Sequence, residues 1–565
     1  MKKRHLFSRN VNITDGAYDY STAVSREDTI CALVENSRLS RQKTDAYWKK
    51  MKRYYDGMHD INYLTGTFSE DMNLPWKPAQ SSDGYIHVES QIDPEIPGFE
   101  FSPRNGYSSE LARLREETVR SVCDANFLAD MNIKNERRLN ISGSAVWKIG
   151  WGINPSHGAG KQDVVIENPK PWQIYTDPAA ETLDSSEYVA YVYPMHVQRA
   201  KRIFGADFAR KNEKIDDYIS SPKENYPTFD DFYEETPDCV TVTEFWFRQP
   251  KDSKAGNFKA GDIAVSILVN GREVRYVPKY WKNTNCSFFP FVIYNKVPCE
   301  NSIWGKSELE MLVPIIDAAD RELTFAQMNS AFCSNDVILA EENAFADGAL
   351  PENTPGAVWK LRPGMTGKVQ RLGNLGSTQI SQFNNYTVWK TMMEETTGNY
   401  EANQGKEPTR VTTASGIALL NERAKSRLML KKAGKSEGFK RLFMLIDYTA
   451  LEFYRRGRHI DSENGGFDFG MLTDGRDFCE NYTPNIDVKI HIGDGLTNSK
   501  AFTVSAINAL ISTDITKDNY VFVKAYVDLV GLPMRNEICR YLDEKFGNYG
   551  ENDRETENLT DGITA

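Results

Sequence analysis

Four groups of residues in this chain have types that chemistry could use, and their spacing decides how far each can go. His157-Gly-Ala-Gly-Lys-Gln162 comes nearest to a phosphate-binding loop. Such a loop needs Gly-x4-Gly-Lys-Ser/Thr, so that backbone amides cradle phosphate and a hydroxyl holds Mg²⁺. Pro155 stands where the first glycine belongs and Gln162 where the hydroxyl belongs, and the segment joins two strand-like stretches instead of opening a helix. A hairpin loop is the better reading. His491 and Asp494 stand close together after a strand-like run, but a metal centre needs further ligands and none is near in sequence. Asp230, Asp231, Glu234 and Glu235 have the charge to hold a cation and equally the composition of a solvated loop. The fourth group is cationic. Lys406 and Arg410 lie in a polar loop, 398–413, that runs into a helix-forming stretch. That stretch carries Arg423, Lys425, Arg427, Lys431, Lys432, Lys435, Lys440, Arg441, Arg455 and Arg456 against Glu422, Glu437, Asp447 and Glu452. This excess could neutralise nucleic-acid phosphates or the acids of a neighbouring subunit, or be a solvated face. There is no Gly-x-Ser-x-Gly elbow and no His-Glu-x-x-His. No catalytic residue, metal ligand set or cofactor is expected.

The chain as a whole is acidic, with a net charge of −11 over 565 residues. That excludes a uniformly basic nucleic-acid binder, while suiting a surface past which nucleic acid slides without sticking. Hydrophobic residues make up 40% and charged residues 26%, enough to bury a core without metals or crosslinks. The length suggests roughly three to five compact units. The eight cysteines (31, 123, 239, 286, 299, 333, 479 and 539) form no Cys-x-x-Cys pair, which fits reduced thiols in a cytoplasm-like compartment. The basic Met1-Lys-Lys-Arg-His5 is not followed by an apolar stretch, so no signal peptide is expected. The longest apolar run, 287–294, is too short to span a bilayer.

The elements that must position these groups follow from periodicity. Residues 26–56 read as helix with Ser25 as its N-cap, 71–103 as irregular, and 108–133 as a charged helix with a second piece to about 140. Strand patterns begin at 145–151, 163–167 and 188–193, followed by a short helix at 195–204. They resume at 240–247, 263–269 and 273–277, with Asn270-Gly271 as a two-residue hairpin turn. The region 145–294 is therefore mostly antiparallel β. From Gly305 to Phe332 a helix carries its apolar stripe at 309, 312, 313, 316, 319, 323 and 326, with a kink or restart at Pro314. Short strands at 337–339, 357–360 and 368–370 precede a second helix, 377–397, with Ile380, Phe383, Val388 and Met392 on one face. The long stretch after 413 would span roughly 68 Å as helix. It has two apolar stripes (Ile417, Leu420, Ala424, Leu428; then Phe439, Leu442, Phe443, Ile446, Ala450), with Gly434 and Gly438 between them marking a kink or register change. A strand at 486–492, three short helices at about 499–512, 517–530 and 534–546, and an acidic tail from Gly547 complete the chain.

This order of parts resembles the portal, or head-to-tail connector, proteins of tailed bacteriophages. Three places carry the likeness: Trp172-Gln-Ile-Tyr-Thr-Asp-Pro178 with Leu183-Asp-Ser-Ser-Glu-Tyr188; Phe289-Pro290 with Trp304-Gly-Lys-Ser-Glu-Leu309; and Thr412-Thr-Ala-Ser-Gly-Ile-Ala-Leu-Leu420. The likeness covers most of 30–500 through order and spacing, and its individual motifs are loose. It implies an α+β subunit assembled as a ring. The parts would be a β-rich wing (1–304), stem helix 1 (305–333), a small α/β clip (334–376), stem helix 2 (377–397) and a tunnel loop (398–412). The long kinked helix and a returning strand would follow in the wing (413–498), then a short helical crown (499–546) and a disordered acidic tail (547–565). A C-terminal helical barrel is not evident. The resemblance further implies a dodecamer at one capsid vertex of the virion, assembled in the host cytoplasm, with double-stranded DNA in its channel. Asn399, Gln404, Lys406 and Arg410 would face that DNA. The implied partners are the terminase large subunit, head–tail adaptor proteins, the major capsid protein and scaffold, with no membrane. Another structural virion protein, or a metal-dependent enzyme with dispersed carboxylates such as Asp230 and Asp494, are the competing readings.

Overall fold

The computed structural model describes residues 20–59, 81–104, 108–153, 162–210, 239–253, 257–284, 286–333, 338–341, 344–346, 360–371, 377–397, 414–454, 458–460, 467–469, 486–491 and a few positions between 523 and 545. The fold is mixed α+β. It divides into two compact units, the larger formed by 1–96 and 101–488, the smaller by 97–100 and 489–565. Two units, fewer than chain length suggests, follow from one long return: residues after 413 fold back onto strands laid down near 144–153 and 291–295. In the smaller unit, Val523 and Leu542 are buried.

The single helix expected over 26–56 is two, α1 (Ala23–Ser40) and α2 (Gln42–Tyr55). Thr22, not Ser25, caps α1: its hydroxyl accepts from the Ser25 amide at 3.1 Å. The break at Arg41 has a purpose. Its buried guanidinium donates to the Trp172 and Ile174 carbonyls and lies 4.0 Å from the Tyr175 ring centre. Part of the stretch expected to be irregular is ordered, as helix α3 (Asp83–Ser90) and strand β1 (Gly98–Pro103). Val88 of α3 packs among Met51, Tyr54 and Leu309, so tertiary burial overrides a weak local pattern. Helices α4 (Ser109–Ala125) and α5 (Leu128–Ser142) are separated at Phe127, which adopts the left-handed conformation at φ 53°.

Two antiparallel sheets follow. A five-stranded sheet runs β4 (Ile174–Thr176), β5 (Tyr188–His196), β6 (Cys239–Arg248), β7 (Ile263–Val269) and β8 (Arg272–Val277), each strand beside the next. Asn270 and Gly271 turn β7 into β8 with φ of 49° and 81°, the left-handed pair that a tight hairpin requires. Helix α1 covers one face through Ile30 and Leu33 against Phe245, Phe247 and Leu268. Helix α6 (Val197–Arg210) covers the other through Val197, Ala200 and Phe204 against Val240, Val242 and Val269. A second sheet sets β2 (Ser144–Ile153) between β3 (Gln162–Glu167) and β9 (Phe291–Asn295). Strands β2 and β3 pair antiparallel on either side of 154–161, the segment expected to be a hairpin loop, which lies outside the described residues.

Strands β10 (Val297–Cys299) and β11 (Ser302–Lys306) lead into helix α7 (Leu309–Cys333), which begins four residues later than expected and runs unbroken through Pro314. Its predicted stripe is inward: Leu309, Leu312, Val313, Ile316 and Ala319 are all buried. Strands β12 (Ile338–Ala340) and β13 (Val369–Arg371) pair antiparallel, and Phe345 bridges to Leu361. Helix α8 (Ser377–Thr397) then packs against α7. It does so through Tyr386, Trp389 and Met393, while Val388 and Met392, on the face that the sequence pattern marked, are 58% and 42% exposed. The apolar pattern of α8 thus has two faces, of which this subunit covers one. Helix α9 (Ala414–Phe453) is one uninterrupted helix. Strands β14 (His459–Ile460), β15 (Phe467–Asp468) and β16 (Ile486–His491) follow.

Candidate functional site

The motif Trp304-Gly-Lys-Ser-Glu-Leu309 sits where the sheets hand the chain to α7, and Trp304, Gly305, Ser307, Glu308 and Leu309 each have a mechanical reason. Gly305 lies so close to its neighbours that a Cβ would stand 2.6 Å from Asn295 Cβ and 2.7 Å from the Gly143 and Val297 carbonyl oxygens. The Gly305 amide donates to Ser144 Oγ at 2.9 Å, and Ser144 Oγ donates to Asn295 Oδ1 at 2.8 Å. Ser307 Oγ donates to the Asn140 carbonyl and accepts from the Leu309 amide at 3.1 Å, starting α7. Its own amide donates to Tyr47 at 2.8 Å. Trp304 meets Trp48 edge to face at 5.1 Å, and the Trp48 indole donates to the Ser142 carbonyl at 2.9 Å. One joint therefore ties α2, α5, β2, β9 and β11 to the first turn of α7.

Glu308 adds charge to this joint. Lys296 Nζ is 3.0 Å from its Oε2 and His87 Nε2 is 3.7 Å away. Burial alone would raise the Glu308 carboxyl, but His87 and the Lys296 ammonium outweigh it and hold the carboxyl down at about 2. A carboxylate with a depressed pKa stabilises the fold fully above its unfolded value, near 4.5, and loses that contribution as pH falls through about 2. Glu308→Gln is therefore expected to lower the melting temperature at pH 7 and to have progressively less effect between pH 5 and pH 2. Thermal melts of both proteins across that range check this; a constant gap at every pH would contradict the ion-pair account.

Farther along α7, Asp320 collects two chain segments. The buried His59 ring contacts its Oδ2, and the Ser81 amide donates to its Oδ1 at 2.8 Å. One helical turn earlier, Asp317 accepts from the Tyr54 hydroxyl at 2.6 Å. Burial raises the Asp317 carboxyl against the lowering effect of that hydrogen bond.

Helix α9 is fastened over its second half. Gly438 is needed for closeness rather than for breaking the helix: a Cβ there would lie 2.6 Å from the Tyr294 ring. Phe439, Leu442, Phe443, Ile446 and Ala450 are buried, as their spacing predicted. Lys435, 2% exposed, donates to the Asp93 and Glu95 carbonyls at 2.9 and 2.6 Å and lies 3.6 Å from Glu136. Arg441 pairs with Asp184, and buried Arg115 forks onto Asp447. The Glu452 carboxylate accepts from the backbone amides of Lys282, Asn283 and Thr284 at 2.9–3.1 Å, filling an anion nest.

These contacts revise the cationic reading of α9. Lys435 and Arg441 are occupied by the chain's own carboxylates and carbonyls, and Lys432 approaches Glu95 at 4.0 Å. The side chains of 414–431, with Arg423, Lys425, Arg427 and Lys431, lie outside the described residues, as do Arg455 and Arg456. Asn399, Gln404, Lys406 and Arg410 also lie outside them, as do Asp230, Asp494 and most of 499–546. His491 ends β16. Among the described residues no group of three or more His, Cys, Asp or Glu could hold a metal ion, and no helix is long and apolar enough to cross a membrane.

Residues 88–286 match the family described as phage P22-like portal protein. This part of the chain is a phage portal domain. The portal match starts within α3, takes in α4 to α6 and β1 to β8, and stops just short of β9. It includes the Trp172–Pro178 segment on which part of the resemblance rests; the Trp304 motif and α9 lie beyond it. No curated protein matches the chain. Sequence reasoning missed the Gly143–Gly305 contact, the Asp320 contacts and the nest under Glu452. Their partners are 160 or more residues apart, and no local pattern announces them.

Proposed function

We propose that this phage portal protein forms a ring of twelve subunits at one capsid vertex, through which viral DNA is packaged and ejected. The observation that carries the reading is the portal match over 88–286, followed in order by helix α7, the β12–β13 pair, helix α8 packed on α7, and long helix α9. On this reading 1–304 is the wing, α7 and α8 the stem, 334–376 the clip and 398–412 the tunnel loop. Residues 413–498 return to the wing, 499–546 form a short crown and 547–565 an acidic tail. The clip meets the terminase large subunit and later the head–tail adaptors, while the major capsid protein and scaffold surround the ring. The role is structural, in the virion, with the packaging energy supplied by a separate motor. Val388 and Met392 on α8 and Met311 on α7, 60% exposed in the single subunit, supply apolar surface for a neighbouring subunit to cover. Twelve copies of Lys406 and Arg410 would make a ring of weak phosphate contacts around DNA.

Averaged end-on electron micrographs test the ring. Twelvefold symmetry and a particle of about 770 kDa, twelve times 64.2 kDa, are expected. Sixfold or threefold symmetry would point instead to a tail component. For the loop, Lys406→Ala/Arg410→Ala is expected to leave the ring intact while impairing DNA packaging or retention. A normal packaged genome length in that variant would remove the DNA-contact role.

A further inference from the structure

The outer face of α6 is basic, and no carboxylate among the described residues answers it. Val197, Ala200 and Phe204 face the five-stranded sheet. On the opposite side Arg199 and Arg202 are exposed, Lys201 is half-buried at the flank, and Ile203 is 51% exposed between them. The chain leaves this helix at Arg210 and returns at Cys239 into β6, the strand whose Val240 and Val242 pack beneath the same helix. The 28 residues between, 211–238, carry nine acids against three lysines. Their second half concentrates the charge with aromatics: Tyr226-Pro-Thr-Phe-Asp-Asp-Phe-Tyr-Glu-Glu-Thr-Pro-Asp238 holds five acids, four aromatic rings and no cation.

We propose that this acidic, aromatic stretch, 226–238, docks in the same chain on the basic face formed by Arg199, Lys201, Arg202 and Ile203. Three arguments support it. The charges are complementary, with five carboxylates for three cations. The aromatic rings supply apolar surface for Ile203, which a solvated charge pair alone would leave in water. The 211–238 connection that carries the segment is tied at both ends, by the end of α6 and by β6 beneath that helix, so the local concentration of the acids there is high. Individual exposed ion pairs are weak and screened by salt. The contact therefore depends on several pairs acting together on a short tether, and it must weaken as ionic strength rises.

The test uses the full-length protein. Chymotrypsin can cut after Phe229, Phe232 and Tyr233, while Tyr226 precedes a proline and resists it; an added unrelated peptide serves as rate standard. Cutting within 229–234 is expected to quicken at least about fivefold between 50 and 500 mM NaCl. It should quicken similarly at low salt in Arg199→Glu/Lys201→Glu/Arg202→Glu. Adding Asp230→Lys, Asp231→Lys, Glu234→Lys and Glu235→Lys to that variant should restore protection. Carbodiimide should also join Lys201 to a carboxylate within 230–238. Cutting rates insensitive to both salt and charge reversal, with no such crosslink, would overturn the proposal. In an equal mixture of ¹⁵N-labelled and unlabelled chains, crosslinks joining a labelled to an unlabelled peptide in about half of all cases, the share that random pairing of copies gives, would overturn it too, by assigning the segment to a second copy.

Discussion

Gly143→Ala is expected to cost more than about 4 kcal/mol and to remove most soluble, folded protein. Gly143 has φ of +84°, the left-handed region that costs an alanine roughly 1–2 kcal/mol. Its new Cβ would also stand 2.4 Å from the Lys306 carbonyl carbon and 2.7 Å from both Gly305 O and Ser307 N. All three are backbone atoms, so no side chain can swing aside, and overpacking adds about 1–3 kcal/mol or more. Gly150→Ala in β2, the strand that follows Gly143, is the control, because a Cβ there meets nothing within 4 Å. Thermal melts should place the first transition of Gly143→Ala at least about 4 °C below the parent, if any folded protein is recovered. Gly150→Ala should stay within about 1 °C. Equal, small shifts in both would show that the joint yields, and that the closeness of Gly143 to the 305–307 backbone is not what holds it.

Asp447→Ala carries the second large effect. Arg115 is 1% exposed and donates through Nε to Asp447 Oδ1 at 3.0 Å and through a terminal nitrogen to Oδ2. Removing the carboxylate takes its bidentate counter-charge from a buried guanidinium, which costs about 3–5 kcal/mol. Replacing both partners, as Arg115→Met/Asp447→Leu, is expected to be milder than Asp447→Ala by at least about 2 kcal/mol, because no buried charge then remains. Urea titrations followed by tryptophan fluorescence compare the variants. Additive losses in the double variant would mean that the pair contributes by packing and not by charge.

Much of the architecture was legible from periodicity. The hairpin at Asn270-Gly271, the inward stripe of α7, the bounds of α8 and the second stripe of α9 all follow from local pattern. Three features did not. The break at Arg41 depends on carbonyls more than 130 residues away, which accept from its guanidinium. Helix α3 is too short to announce itself and is fixed by burial of Val88. Gly434 and Gly438 read locally as helix breakers, whereas Gly438 is there because the Tyr294 ring comes within a Cβ's reach. The same local reading put Val388 and Met392 on one face of α8, but an apolar stripe does not say what will cover it. The portal likeness was legible from the order of parts, and 88–286 bears it out. The candidate channel residues lay in a loop whose composition was read but whose geometry no periodicity could supply.

The fastening of α9 also sets an order of events during synthesis. Arg115 and Asp447 are 332 residues apart in the chain. At about 5–20 residues per second, Arg115 leaves the ribosome roughly 15–65 s before its carboxylate is made. Lys435 and Glu452 arrive equally late for Glu136 and for the 282–284 nest. Until then β2 and β9 lack the helix that covers them, and the emerging chain shows apolar strand surface to chaperones. A chain cut short before α9 would keep that surface exposed, so quality control can tell it from a finished subunit.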